Sequence, residues 1–183
     1  MKPFPQLNTE RLTLRQLQQS DLAELVRQVN QPEIFANILN FPNPYTEQDA
    51  ADRMDFVTKG YEEGARVVFA IAMQESDAFM GEVGLHFDRD HNRAEMGCWI
   101  GEAFRNKGYM TEAVRAVLRF GFEELGLHKI MATHFLENGA SGKVLVKSGM
   151  ILEGELKDHY LHAGAYRSFR QYRLTRDEFD AQA

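Results

Sequence analysis

The sequence predicts a single domain built on an α+β (mixed α/β) sheet, and three observations carry that prediction. Short apolar runs separated by turn residues follow one another from Val67 to Ile100, as strands of a meander do. A helix-period stretch starting at Met110 then separates the run Met96–Ile100 from the run Lys129–Phe135, which makes it a crossover between strands. Two further runs, Ile151–Leu161 and Ser168–Leu174, read as last strands joined around His162–Ala165.

Taken in order, Leu12, Leu14 and Leu17 suggest a first strand with partial alternation. Ser20 reads as the N-cap of a helix carrying Leu22, Leu25, Val26 and Val29. Pro42-Asn43-Pro44 punctuates a loop, and Thr46 with Asp49 has the spacing of a cap for a second helix through Tyr61. Strands follow near Val67–Met73 and Met80–Phe87 with a turn at Glu75–Asp77. Asp88–Asn92 turns the chain into the strand Glu95–Ile100. Along the crossover helix, Met110, Val114, Val117, Leu118, Gly121 and Leu125 lie on one face. Thr175-x-x-Glu178 is a capping box for a short closing helix.

At 183 residues, with 44% hydrophobic and 26% charged residues, the chain suits one ordinary domain spanning residues 1–183. No apolar run approaches the ~20 residues that span a bilayer, and the N-terminus lacks the apolar segment of a secretory signal. Cys98 is the single cysteine, so no intrachain disulfide forms and a reducing cytoplasm fits. The net charge of -6 argues against bulk nucleic-acid binding and favours cationic substrates such as amines. The six histidines show no metal-ligand pattern, so no metal is expected.

The chemistry concentrates in the loop Arg105-Asn106-Lys107-Gly108-Tyr109-Met110, which joins a strand to a helix N-terminus. First-turn N–H groups have no helical partner and the helix dipole adds partial positive charge, so such a junction attracts phosphate. Gly108 lets the backbone come close to a ligand, and Arg105 and Lys107 add full charges. A glycine turn with solvated basic residues is the alternative reading of the loop alone. Gly139-Ala140-Ser141-Gly142-Lys143 looks like half a P-loop, but Val144 stands where Ser or Thr must hold magnesium.

With Asn138, Lys147 and Gly149 following in order, the chain resembles the GNAT acyltransferases, which use acetyl-coenzyme A. Met110 and Met150 depart from that family's Gly/Ala and Phe. Thr111-Glu112-Ala113, the opening Leu7-Asn8-Thr9-Glu10-Arg11-Leu12-Thr13-Leu14-Arg15 and Asn138-x-x-Ser141 are similar to the Rim-type branch, the N-terminal acetyltransferases of ribosomal proteins. The resemblance implies a mostly antiparallel sheet flanked by helices, with the strands at Glu95 and Lys129 splayed apart. It also implies a pyrophosphate loop from Arg105 to Thr111, including Asn106, Lys107, Gly108, Tyr109 and Met110, and a pantetheine slot along Cys98, Trp99 and Ile100. Asn138, Ser141 and Lys147 complete the cofactor contacts, and an N–H near Cys98 or Trp99 would donate to the thioester carbonyl.

Two side chains are candidates for proton transfer. Ser141 shares a helical face with Asn138 and stands near the expected sulfur; an ordinary helix serine is the alternative. The Tyr acid used widely in the superfamily is missing, because Leu145 occupies its position. Glu95 is the candidate base, acting through water, against the alternative of a solvated strand-end glutamate; Glu82 and His86 are runners-up. An α-amine (pKa about 7.8) is roughly a quarter neutral at pH 7.4, whereas a lysine amine (about 10.4) is only about 0.1% neutral. A weak base therefore suits an N-terminal amine better. Cys98, inside an apolar strand, reads as an inert thiol rather than a nucleophile.

The sequence thus points to an acetyl-CoA-dependent acetyltransferase of a peptide or protein α-amine. A small cationic amine such as a polyamine or aminoglycoside is the alternative acceptor, and a catalytically silent CoA-binding module is the alternative from another class. The acceptor loops fall at Phe35–Pro44 and in the C-terminal hairpin, and a monomer or homodimer is expected.

Overall fold

The computed structural model describes residues 3–182. The strands are β1 (Leu7–Asn8), β2 (Leu12–Arg15), β3 (Arg66–Met73), β4 (Phe79–Asp88), β5 (Arg93–Ile100), β6 (Lys129–Phe135), β7 (Ile151–His162) and β8 (Ala165–Thr175). They form one eight-stranded sheet in the order β1-β2-β3-β4-β5-β6-β8-β7. Each junction is antiparallel except β5–β6, where the crossover makes the pair parallel. The helices are α1 (Leu22–Val29), α2 (Pro32–Phe35), α3 (Glu47–Glu62), α4 (Tyr109–Arg119), α5 (Gly139–Lys147) and α6 (Arg176–Asp180).

Strand alternation sorts the core into two layers. Val67, Phe69 and Ile71 of β3 pack with Val114, Val117 and Leu118 of α4 on one face. Val68 and Ala70 point the other way, into a smaller core with Leu25 and Val29 of α1 and Val57 of α3. The β5–β6 ladder runs from Arg93↔Lys129 to Met96↔Ala132 and stops. Beyond it, β5 stays paired with β4 as far as Ile100↔Gly81, and β6 stays paired with β8 as far as Phe135↔Phe169. The two halves of the sheet therefore part after Met96, leaving facing backbone edges with no strand between them. This is the expected splay.

The capping boxes at Thr46/Asp49 and Thr175/Glu178 start α3 and α6 as the sequence suggested. Two local readings need correction. Ser20 does not cap α1; it lies inside a 3₁₀ turn, Gln19–Asp21, where Asp21 Oδ2 accepts from the Gln18 N–H at 2.8 Å. Buried Asp21 is taken up by Arg15, whose Nη1 and Nη2 donate to its two oxygens at 2.8 and 2.9 Å. Leu125 does not continue the apolar face of α4. The helix passes into a π turn over Phe120–Glu124, whose wider turn rotates the following residues, and Leu125 ends 41% exposed while Phe120 and Phe122 are buried. Two short elements, β1 and α2, are too brief to leave a periodic signal. Among the described residues no helix is long and apolar enough to cross a membrane.

Candidate active site

Gly108 is the N-cap of α4 and sits at φ +83°, the left-handed region that glycine adopts without a Cβ clash. The first helical bond of α4 runs from the Glu112 N–H to the Gly108 carbonyl at 3.1 Å. The N–H groups of Tyr109, Met110 and Thr111 therefore lack a helical acceptor and sit at the positive end of the helix dipole. The loop is braced by side chains around it. Arg11 Nη1 donates to the Lys107 carbonyl at 3.0 Å, Lys107 Nζ donates to the Ala103 carbonyl at 2.9 Å, and Arg105 pairs with Glu33 of α2 at 2.9 Å.

A cavity of about 480 Å³ opens from this loop into the splay. Arg105, Asn106, Gly108, Tyr109, Met110 and Thr111 line its loop end. Cys98, Trp99 and Ile100 form its strand wall, with Asn138, Ser141 and Lys147 of the α5 region opposite. Lys107 is the one residue of the expected cofactor set that does not line it. Asn138 caps α5 through Oδ1, which accepts from the Ser141 N–H at 3.2 Å, so the two residues are fixed relative to each other.

A second cavity, of about 630 Å³, lies on the α3 side and shares Asn37, Ile38, Cys98, Trp99, Asn138 and Ser141 with the first. Its rim includes Asn37–Pro42 from the loop after α2 and Tyr160 and Phe169 from the β7–β8 hairpin, the segments where sequence placed the acceptor. Tyr166 of the same hairpin is exposed instead. The register pairs Glu82 with Trp99, Gly84 with Gly97 and His86 with Glu95, so these residues share one sheet face. Glu95 is exposed, and its side chain touches Thr133 Oγ1 at 3.4 Å. Glu82 is buried, with Oε2 accepting from Trp99 Nε1 at 3.0 Å and from Arg53 Nη2 of α3 at 3.0 Å. Arg53, Asp49 and Asp52 also line this cavity; the sequence marked Asp49 only as a helix cap and the other two not at all.

Burial pushes the Cys98 thiol up to about 11, so it is protonated at neutral pH. Burial also moves His86 and His134 downward, against which the Phe135 carbonyl accepting from His134 Nδ1 acts only in part. Tyr160 is shifted up, by burial first and by the Glu95 charge second. Leu145, at the position of the superfamily's Tyr acid, is buried in the wall of the larger cavity. No group of three or more His, Cys, Asp or Glu suited to a metal occurs among the described residues.

A strand splay entered from a glycine-led helix N-terminus is the arrangement that the resemblance to the acyltransferases implies. Residues 11–151 match the acetyltransferase (GNAT) domain, and the chain belongs to that family. It is 31% identical to the uncharacterized N-acetyltransferase p20 of Bacillus licheniformis, covering 94% of this chain and 97% of that one. It is 24% identical to the [ribosomal protein uS5]-alanine N-acetyltransferase of Escherichia coli, covering 90% and 88%. Among solved structures, the ribosomal L7/L12 α-N-protein acetyltransferase RimL in complex with coenzyme A superposes with a TM-score of 0.85 at 17% identity, over 95% of this chain and 99% of that one. At that identity the likeness is one of fold.

Proposed function

We propose that the chain is an acetyl-CoA-dependent N-acetyltransferase acting on a protein or peptide N-terminal α-amine in a reducing, cytoplasmic setting. The observation that carries the reading is the meeting of two cavities at Cys98, Trp99, Asn138 and Ser141. One begins at the glycine-led N-terminus of α4, which suits a phosphate, and the other is rimmed by loops, which suits donor and acceptor reacting directly in a ternary complex. Acetyl-coenzyme A supplies the activated acyl group. Gly108 to Thr111 would hold its pyrophosphate, with Arg105, Asn106 and Lys147 alongside, and Lys107 would act through the loop it braces. The free edge of β5 from Cys98 to Ile100 would pair with the pantetheine amides, and its N–H groups would steady the thioester carbonyl. Ser141 would pass a proton to the leaving sulfur, a role supported by its lining both cavities.

The amine must lose a proton before attack. Glu95, exposed and lining the larger cavity, is the proton acceptor the sequence suggested, by way of water, and the runner-up Glu82 lines the same cavity. An α-amine needs about 3.5 kcal/mol less help than a lysine amine to be neutral, so a modest proton acceptor suffices. The kinship with the uS5-alanine enzyme supports the same acceptor class. A second reading, a small cationic amine, is favoured by Asp49, Asp52, Glu82 and Glu95 around the larger cavity.

The test is thiol release from acetyl-CoA with short peptides bearing free Ala, Ser or Met N-termini, beside a panel of polyamines and aminoglycosides. Release with the free peptides and not with their Nα-blocked forms is the expected result. Release with the small amines alone would move the acceptor to the second reading.

A further inference from the structure

Glu82 lies in the interior of β4 and is 2% exposed, yet its carboxylate is held on one oxygen only. Oε2 receives Trp99 Nε1 at 3.0 Å and Arg53 Nη2 at 3.0 Å. Oε1 is buried with no hydrogen-bond partner. A buried carboxylate oxygen without a donor is costly, and such groups persist where function needs them. Here the residue lines the acceptor cavity, so a donor can arrive with the acceptor. Trp99 ties it to the reaction centre, because the same residue bonds Glu82 and lines both cavities.

The neighbours do not compete for the role. Tyr45 donates its hydroxyl to the Asp49 carbonyl at 3.1 Å. Asp49 accepts from the Thr46 N–H at 2.7 Å as the cap of α3, and Asp52 accepts from Gln48 at 2.9 Å on that helix. His86, four residues along β4, is made a poorer base by burial and by Arg53 and Arg66. Glu95 lies four residues along β5 from Trp99, at the exposed end of the same face.

We propose that Glu82 Oε1 receives the acceptor's ammonium and takes its proton, while Arg53 and Trp99 are positioning residues that hold the other oxygen. The assignment rests on the amine acetyltransferase reading above. One N–H bond of the ammonium breaks as an O–H bond forms on Glu82. The freed nitrogen lone pair attacks the acyl carbon of the thioester, and a C–N bond forms as the C–S bond breaks. A second N–H proton goes to the departing thiolate, and Glu82 returns its proton to water.

The experiment is a pH–rate profile of kcat/KM for the full chain, Glu82→Gln and Glu82→Asp, with whichever amine of the two panels turns over. Coenzyme A affinity is measured in parallel by calorimetry as the check on folding. Glu82→Gln is expected to lose about a hundredfold or more and the acidic limb of the profile, with coenzyme A affinity within about twofold. Glu82→Asp should keep the limb at a reduced rate. A Glu82→Gln protein that binds coenzyme A normally and keeps the limb overturns the proposal and leaves the acetyltransferase reading standing. Activity on polyamines alone overturns the α-amine reading and leaves Glu82 to be judged with that substrate. No turnover with any amine overturns both.

Discussion

Arg11 and Glu112 stand 101 residues apart in the chain, and the Arg11 N–H donates to Glu112 Oε1 at 2.9 Å. The guanidinium adds Nε to Oε2 at 2.8 Å, and Thr9 Oγ1 donates to Oε1 at 2.6 Å. With Arg11 Nη1 on the Lys107 carbonyl, the residues before β2 clamp both the loop leading into Gly108 and the first turn of α4. The Thr9-Glu10-Arg11 and Thr111-Glu112-Ala113 segments, which looked like separate family marks in the sequence, are two sides of one contact. Charge-assisted hydrogen bonds are the stronger kind, and three of them meet on the Glu112 carboxylate. Glu112→Ala is therefore expected to weaken coenzyme A binding about tenfold and to lower the melting temperature by several degrees. Unchanged affinity by calorimetry would make the clamp structural only.

Gly108→Val puts a β-branched side chain at φ +83°, with Arg11 Nη2 3.4 Å from the new Cβ. Left-handed backbone costs an L-residue roughly 1–2 kcal/mol, and the side chain would crowd the loop. Coenzyme A affinity should fall at least tenfold while Gly154→Ala, in open space on β7, leaves it alone. Equal affinity for both variants would remove the loop from the binding site.

Ser141→Ala separates the two readings of that hydroxyl. The backbone N–H still bonds Asn138, so the start of α5 survives. A proton donor predicts a drop of about tenfold or more in kcat with little change in coenzyme A affinity. A loss of affinity alone would make Ser141 a binding residue.

Stability should decline steadily in acid. Native His86 and His134 are shifted below their ordinary value of about 6.5 by burial, so the unfolded chain takes up protons first as pH falls through that value. Glu178, held down chiefly by the Thr175 N–H, and Glu153, held down chiefly by Lys129, act in the same direction. Their contribution is present above the ordinary carboxylate value of about 4.3 and is lost as pH falls through the lowered native values. A melting temperature that is flat between about pH 7 and 8 and falls from there to pH 4 is expected; a rise on acidification would contradict the assignments.

Legibility followed the range of each interaction. The caps of α3 and α6 and the glycine-led start of α4 are local patterns, and the sequence displayed them. The splay was readable only through family likeness, since nothing in Met96-Gly97 announces where pairing stops. Leu125 was misplaced because a π turn breaks the 3.6-residue period on which the reading depended. The Arg53–Glu82 pair joins α3 to β4 across 29 residues, and the Arg11–Glu112 clamp is longer still. Such contacts exist only once the sheet has formed, so Arg53 had no signal and Glu82 ranked behind a more prominent Glu95.

The central claim is transfer of acetyl to an α-nitrogen, and the most direct measurement is where the acetyl group lands. A peptide with a free N-terminal alanine and an internal lysine, incubated with the protein and acetyl-CoA, is fragmented by mass spectrometry. Acetyl on the alanine nitrogen is the expected result. Acetyl on the lysine side chain with the N-terminus untouched would contradict the account.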